Sequence, residues 1–482
     1  MNKSKYLLKN TALLALGNFA SKFISFILIP LYTNYLTTSE YGTIDLISVI
    51  TTITIPIITL NIGEAVIRFL LDETYDKNTI TLIGIVIILL SSFFGLLLLP
   101  LLNLYTVLNN YSILLYFYIV TFAFSQFFLY LLRGEEKLGA YSVGVIIQTL
   151  LVGILNILFI KVLKIGISGY LLAYIISNLI IIIYGFTLTD VINAIKKYFV
   201  DKKIVFEMLK YSVVLIPNSL MWWIMNSLDK IVVVSTLGTS YNGIYSISYK
   251  LPTLLSTIAS IFNQAWSYSA IKEEKSKNSE KFTNNIFEML CIIIISMSIY
   301  ILAFLKPLMK IFVGKEFYSA WRYVPLLLVG FVFVTLSSFF ATSYTVKKDS
   351  VGFLKTGMIG AILNLILNFI LIKPFGLYGV SFATCISYIA VFIYRYVDTQ
   401  KYCSINLLSK NFAFGIILLI FSVTIINCDN LISDIIVMIN AILVLILYRK
   451  ELIHFISRCL IIIKEWRCKS LEWKNYYNYT SV

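Results

Sequence analysis

The sequence predicts an all-α polytopic membrane protein of about fourteen transmembrane helices. They are arranged as two parallel six-helix repeats forming two lobes around a central cavity, plus two extra C-terminal helices. Three observations carry this reading. Hydrophobic residues fill 59% of the 482 positions and charged residues 13%, with mean hydropathy +0.88, whereas a soluble domain is about half apolar and a quarter charged. Runs such as "TLIGIVIILLSSFFGLLLLPLL" cannot be solvated, and this one is long enough to cross about 30 Å of hydrocarbon. Polar and glycine positions also recur at a fixed spacing along the chain. A β-barrel is excluded, because barrel strands alternate over short segments and do not stay apolar for twenty residues.

The first apolar segment, 10–33, follows the basic start "MNKSKYLLKN". It is too long for a signal-peptide core and reads as an uncleaved span. Further spans are expected at 43–71, 79–101, 113–132, 142–163 and 167–188, then at 211–236, 244–270, 284–305, 323–345, 353–373 and 377–397. The last two lie at 410–427 and 431–448. Residues 451–482 mix apolar, Trp and basic residues and read as an interfacial helix and tail on the cytoplasmic leaflet. The chain thus divides into lobes 1–195 and 196–400, an added pair 401–450 and the tail 451–482. No connection is long enough to fold as a catalytic domain, so an enzyme is not expected.

A net charge of +15 could point to nucleic acid, but in a membrane protein it is the positive-inside bias. The connections 189–210 and 271–283 are rich in lysine, whereas 101–112 and 237–243 have neither Lys nor Arg. Both termini are therefore expected in the cytoplasm. Lys161, Lys164, Lys306, Lys310, Lys315, Arg322 and Lys373 fall outside and go against the trend. The only histidine is His454 in the tail, and the six cysteines form no CxxC pair. No metal site or cofactor is expected. Coupling to an H⁺ or Na⁺ gradient would need a membrane carboxylate.

Internal repetition fixes the architecture. At a constant offset of 201 residues, "YLTTSEYGTIDLI" meets "TLGTSYNGIYSIS": Leu36 aligns with Leu237, Thr38 with Thr239, Ser39 with Ser240 and Gly42 with Gly243. Later, "NILFIKVLKIGISGYLLAYIIS" resembles "NFILIKPFGLYGVSFATCIS". Each half has an even number of spans, so the halves point the same way and their pseudo-twofold axis lies along the membrane normal.

Several spans carry a polar stripe. On the seventh, Asn218, Ser219, Trp222, Asn226, Asp229 and Lys230 fall within about 120°. On the first, Thr11, Asn18, Ser21, Lys22 and Ser25 share about 100°. The eighth aligns Ser246, Tyr249, Lys250, Thr253, Thr257, Ser260, Asn263, Gln264 and Ser267. A shared aqueous cavity between the halves would explain all three, although Ser, Thr and Asn also serve simply as helix–helix glue. Intramembrane lysines cost several kcal/mol (about 2.5–3.5 on insertion scales). Lys22, Lys230 and Lys250 are therefore the cationic candidates, with Asp229 expected to balance Lys230. On the second span Glu64 and Arg68, spaced i, i+4, are expected to pair. Asp229 and Glu64 are the cation-coupling candidates, and Arg68 a cytoplasmic gate.

The segments "ILIPLYTNYLTTSEYGTIDLI", "GEAVIRF", "NSLDKIVVVSTLGTSYNGIYSISYKL" and "GISGYLLAYIIS" resemble the polysaccharide biosynthesis family of lipid-linked oligosaccharide flippases, within the multidrug/oligosaccharidyl-lipid/polysaccharide exporter superfamily. The resemblance implies alternating access in a bacterial cytoplasmic membrane. It implies a substrate made of polyprenyl diphosphate carrying an O-antigen or capsule repeat unit. Membrane lipids, a polysaccharide polymerase and chain-length machinery are the implied partners. Lysines would receive the diphosphate, and Asn18, Asn218, Trp222, Asn226 and Gln264 would suit sugars. Three rivals stay open. A multidrug antiporter of the same superfamily would want more buried acids than this chain offers. A lipid II flippase differs only in substrate. An oligosaccharide polymerase would want a long external loop with carboxylates.

Overall fold

The computed structural model describes residues 20–457 apart from 73, 99, 101–105, 197–200, 274–277, 408, 452 and 454–456. The described residues are helical and contain no strand. The expected interfacial helix at 451–482 lies almost wholly outside them.

In the first repeat, α1 (20–27) and α2 (Ile29–Tyr35) share one span with an offset ahead of Pro30. They are followed by α3 (Thr38–Ile58), α4 (Ile62–Leu70), α5 (Lys77–Gly95), α6 (Ser112–Gly134), α7 (Leu138–Asn156) and α8 (Gly166–Leu188). The helix α7 continues through a π turn, Ile157–Val162. After the short α9 (Val191–Lys196), the second repeat comprises α10 (Lys202–Leu237), α11 (Thr239–Lys250), α12 (Pro252–Glu273), α13 (Ser279–Ala303), α14 (Leu305–Phe312), α15 (Val324–Lys347) and α16 (Ser350–Thr399). The added pair is α17 (Lys410–Ile426) and α18 (Leu431–Leu447).

Among the described residues nine helices are long and apolar enough to cross a membrane. The difference from the fourteen expected has local causes. The first span is only partly described. The eighth is broken between α11 and α12 at Pro252. Spans eleven and twelve are the two arms of α16, which meet at Gly376 with φ +56° beside Pro374. The last two helices have 17 residues each. The second span is also interrupted: Leu60 and Asn61 adopt φ of 50° and 55° between α3 and α4. Each left-handed residue there costs about 1–2 kcal/mol.

The start of α3 is set by a capping box. The Thr37 side chain accepts from the Glu40 N–H, and Glu40 accepts from the Thr37 N–H at 2.9 Å. This places the "TSEYG" turn against its repeat mate. Helices α3 and α11 cross so closely that a Cβ on Gly42 would lie 1.8 Å from the Thr239 carbonyl oxygen, and one on Gly243 2.1 Å from that of Thr38. Thr38 and Ser240 hydroxyls are 2.7 Å apart, as are Ser39 and Thr239. The two pairs are pseudo-twofold mates, so the repeated motif is the contact between the repeats. Small residues that admit such backbone approach are the usual currency of helix association in lipid.

The added pair is fastened to the second repeat at both ends. Lys306 of α14 donates to Asp429 at 3.0 Å and Asp434 at 2.8 Å, with its ammonium over the Trp321 ring. At the other end Asn411 donates to Glu288 at 2.8 Å and Asn284 to the Ser404 carbonyl at 2.9 Å. Nearby, hydrogen bonds from the Tyr402 hydroxyl and the Gly352 N–H hold the Asp349 carboxyl below the usual carboxylate range.

Cysteines replacing Thr38 and Ser240, on a cysteine-free background, should be bridged readily by a short thiol cross-linker. Adding Gly243→Val should abolish most of the bridging, because the valine side chain must displace the Thr38 carbonyl. Undiminished bridging in the valine variant would mean that this contact does not hold the repeats together.

Candidate functional site

Immediately inward of the glycine crossing lies a charged node. Asp45 is one turn past Gly42 on α3, and Lys230 stands on α10 of the other repeat. The Lys230 ammonium donates to Asp45 Oδ1 at 2.9 Å, with the lysine side chain 16% and the carboxylate 11% exposed. Asn242 of α11 fills the corner, donating to the Gly42 carbonyl at 2.8 Å and standing 3.4 Å from Asp45 Oδ2. Leaving one member of such a buried pair uncompensated costs roughly 3–5 kcal/mol.

Asp229 is occupied differently from the expectation. It is buried, and its carboxylate accepts from Tyr245 at 2.8 Å, from Tyr249 at 2.6 Å and from the Lys230 N–H at 2.9 Å. Its neighbour Lys230 turns to Asp45 instead. Consecutive residues point about 100° apart on a helix, so Asp229 faces its own repeat while Lys230 crosses to the other. The Lys230 ammonium also lies 5.8 Å from the Tyr249 ring centre.

Beside the node the first repeat forms a partly open polar cavity of about 310 Å³. Asp45 and Ser48 of α3, Ser21 and Ser25 of α1, Gln148 and Thr149 of α7, and tyrosines 32, 41, 170 and 174 line it. Lys250, at the end of α11, closes it from the second repeat. The ring contacts Tyr32–Tyr41, Tyr32–Tyr170 and Tyr170–Tyr174, at 6.1, 6.2 and 4.6 Å, make its aromatic wall. Hydroxyls and amides on aromatic walls can hold sugar rings, and the ammonium of Lys250 can receive an anion.

The three lysines therefore do not share one wall. Lys250 lines the cavity, Lys230 bonds its carboxylate, and Lys22 is exposed and absent from the lining while its neighbours Ser21 and Ser25 face inward. Asn218 and Asn226 are exposed on α10. Asn18 and the side chains of Trp222 and Gln264 lie outside what the structure describes. The adjacent Trp223 bridges the repeats, its Nε1 donating to the Val49 carbonyl at 2.9 Å. Arg68 does not pair with Glu64. Its guanidinium meets Asp72 at 3.4 Å, one turn further along, and both are partly exposed.

Asp45 is the residue that sequence reasoning missed. Its signal was present: the 201-residue offset places it opposite Ser246, inside the polar stripe of the eighth span. A lone carboxylate in "GTIDLISVI" also demands a partner.

The fold is shared with solved transporters. A lipid II flippase in an inward closed conformation superposes with TM-score 0.66 at 16% identity, over 90% of this chain and 98% of that one. An inward-facing multidrug resistance transporter of the MATE family, in the MOP superfamily, gives 0.63 at 14% over 84% and 94%. A MOP superfamily transporter from Pyrococcus furiosus, described as having a binding pocket of reverse polarity, gives 0.58 at 13% over 86% and 96%. In sequence, an uncharacterised membrane protein of Methanocaldococcus jannaschii is 27% identical over 289 residues, which is 55% of this chain. The chain spans 65% of that relative's length. The family model described as polysaccharide biosynthesis protein matches residues 7–268. That match takes in the repeated glycine crossing, Asp45, Lys230 and Lys250, and the chain belongs to the polysaccharide biosynthesis protein family.

Proposed function

We propose that the protein is a flippase that moves polyprenyl-diphosphate-linked oligosaccharide units across the cytoplasmic membrane by alternating access. The observation that carries this reading is the ion pair between repeats, Asp45–Lys230, with Lys250 set in a polar, tyrosine-lined cavity beside it. The described conformation is closed where α3 meets α11. Opening that end must break the Asp45–Lys230 contact and the two hydroxyl pairs. A diphosphate can offset the broken contact, because its oxygens replace Asp45 as acceptors for Lys230 while Lys250 adds a second cation. Each charge-assisted contact of this kind contributes about 1.5–3 kcal/mol. The tyrosines, Gln148 and the serines suit the glycan, and the isoprenoid tail stays among lipids. Membership of the polysaccharide biosynthesis family supports the glycan class, and the likeness to a flippase and to antiporters supports a transporter architecture.

The charge pattern tests the reading. In a deletion strain complemented with variants, Lys250→Arg should retain much of the surface glycan, Lys250→Ala little and Lys250→Glu none, at equal protein level. A purely structural lysine would give normal glycan from the alanine variant or no protein at all. Binding of polyprenyl diphosphates bearing different head groups to the purified protein separates this reading from lipid II transport and from drug efflux.

The ion pair gives a second test. Lys230→Ala and Asp45→Ala should each lower the melting temperature, by several degrees for a loss of roughly 3–5 kcal/mol. The double alanine variant should recover most of the stability without recovering transport. Recovery of transport would reduce the pair to a structural tie.

Orientation supplies a third. With basic connections inside, a single cysteine at position 277 should resist an impermeant thiol reagent added to intact cells, and one at position 240 should be on the outer side. Labelling of position 277 from outside would invert the topology.

A further inference from the structure

A second cavity, apolar and about twice the volume of the first at 660 Å³, lies where α3 and α5 meet the start of α10. Such a volume falls within the range that encloses drug-sized ligands, about 300–1,000 Å³. One wall is α5, from Ile83 through Val86, Leu90 and Phe94 to Gly95. The opposite wall is the start of α10, Val205 and Leu209 with Lys202. The end of α3, Ile58 and Leu60, completes it, and Leu60 is one of the two left-handed residues that break the second span. Its one hydroxyl, that of Ser91, donates to the Ile87 carbonyl at 2.7 Å and offers the groove nothing polar. Among the described lining residues the only charge is Lys202, which is exposed. Leu90 and Phe94 are more than half exposed although they line a concavity.

We infer that this groove is the loading site for the isoprenoid chain of a polyprenyl diphosphate, with the diphosphate held at Lys202. Three features separate it from an ordinary lipid-facing surface. Its walls include the first turns of α10, the helix that also reaches the second repeat, so the slot adjoins an element that must flex when the repeats move. One cation joins an otherwise apolar lining among the described residues, which matches an amphiphile with one anionic head and a long hydrocarbon chain. The helix α3 links it to the charged node: Ile58 is 13 residues from Asp45, about 20 Å at 1.5 Å per residue. A polyprenyl chain can bridge that distance, so its tail can remain in the groove while its head advances to Lys250. The site rests on the flippase reading for its ligand and on the positive-inside orientation for its cytoplasmic placement.

The test uses the full-length protein in nanodiscs and two probes with the same photoreactive isoprenoid chain. One is a polyprenyl diphosphate and the other the neutral polyprenol. The diphosphate probe should label α5 and the start of α10. Leu90→Trp, at an exposed position that disturbs no packing, should remove most of the label from both probes without changing the melting temperature. Lys202→Glu should weaken labelling by the diphosphate about tenfold or more and leave the polyprenol unaffected. Label on other helices in a protein that still exports glycan would overturn the groove and leave the flippase reading standing. So would a photoreactive phospholipid at α5 that the diphosphate fails to displace. A wild-type protein that takes no diphosphate label anywhere would bring down both.

Discussion

The close crossing of α3 and α11 is the constraint on which the rest of this molecule depends. Two glycines from equivalent positions admit each other's backbone, and no other side chain fits there. That approach sets the depth at which Asp45 enters the second repeat and at which Lys230 and Lys250 reach the first. Lipid supplies no hydrophobic drive for the association of helices, so contact area, interhelical hydrogen bonds and the ion pair must provide it. The crossing has all three within about two turns of α3: the glycines, the Thr38–Ser240 and Ser39–Thr239 hydroxyl pairs, and Asp45–Lys230. Because the association is polar at its centre, an anionic ligand can compete for it. An apolar seam would offer a charged cargo nothing to exchange with.

The repeats share topology but not chemistry. At the positions of Asp229 and Lys230, the offset of 201 gives Leu28 and Ile29 in the first repeat. Conversely Asp45 answers Ser246. Each repeat therefore contributes one member of the pair, and neither can form it with its own copy. The capping also differs. In the first repeat Thr37 and Glu40 cap the helix, whereas the second uses Gly238 at φ +98°. A partly open polar cavity lies in the first repeat, with a lysine from the second in its lining.

Much of this was legible in the chain. Apolar run length matched a helix wherever the expected spans fall on described residues, and the "TSEYG"/"TSYNG" match identified the surfaces that meet. What the sequence hid was partnership. Lys230 looked satisfied by its neighbour Asp229, since adjacency in sequence imitates adjacency in space. On a helix the two diverge, and the tyrosines at 245 and 249 claim the carboxylate first. The pairing of Arg68 failed for a related reason. Both Glu64 and Asp72 lie four residues away, and spacing alone cannot choose between them. Lys22 was assigned to the cavity with its stripe. An arc of about 100° is wide enough for Ser21 and Ser25 to face inward while Lys22 does not.

The length of α10 has its own consequence. At 36 residues it extends about 54 Å, well beyond the hydrocarbon thickness of about 30 Å. Its first turns pack on the first repeat, where Met208 is buried among residues of α4 and α5 and Glu207 accepts from Tyr75 at 3.0 Å. Its last turns belong to the second repeat. One rod is thus clamped at both ends by bodies that must rock against each other, and it cannot satisfy both without flexing. Pro217, between the clamps, leaves the Val213 carbonyl without its helical donor and is the natural place for that flexure. The helix is a jointed lever: its Lys202 end and its Lys230 end are tied through one hinge at Pro217.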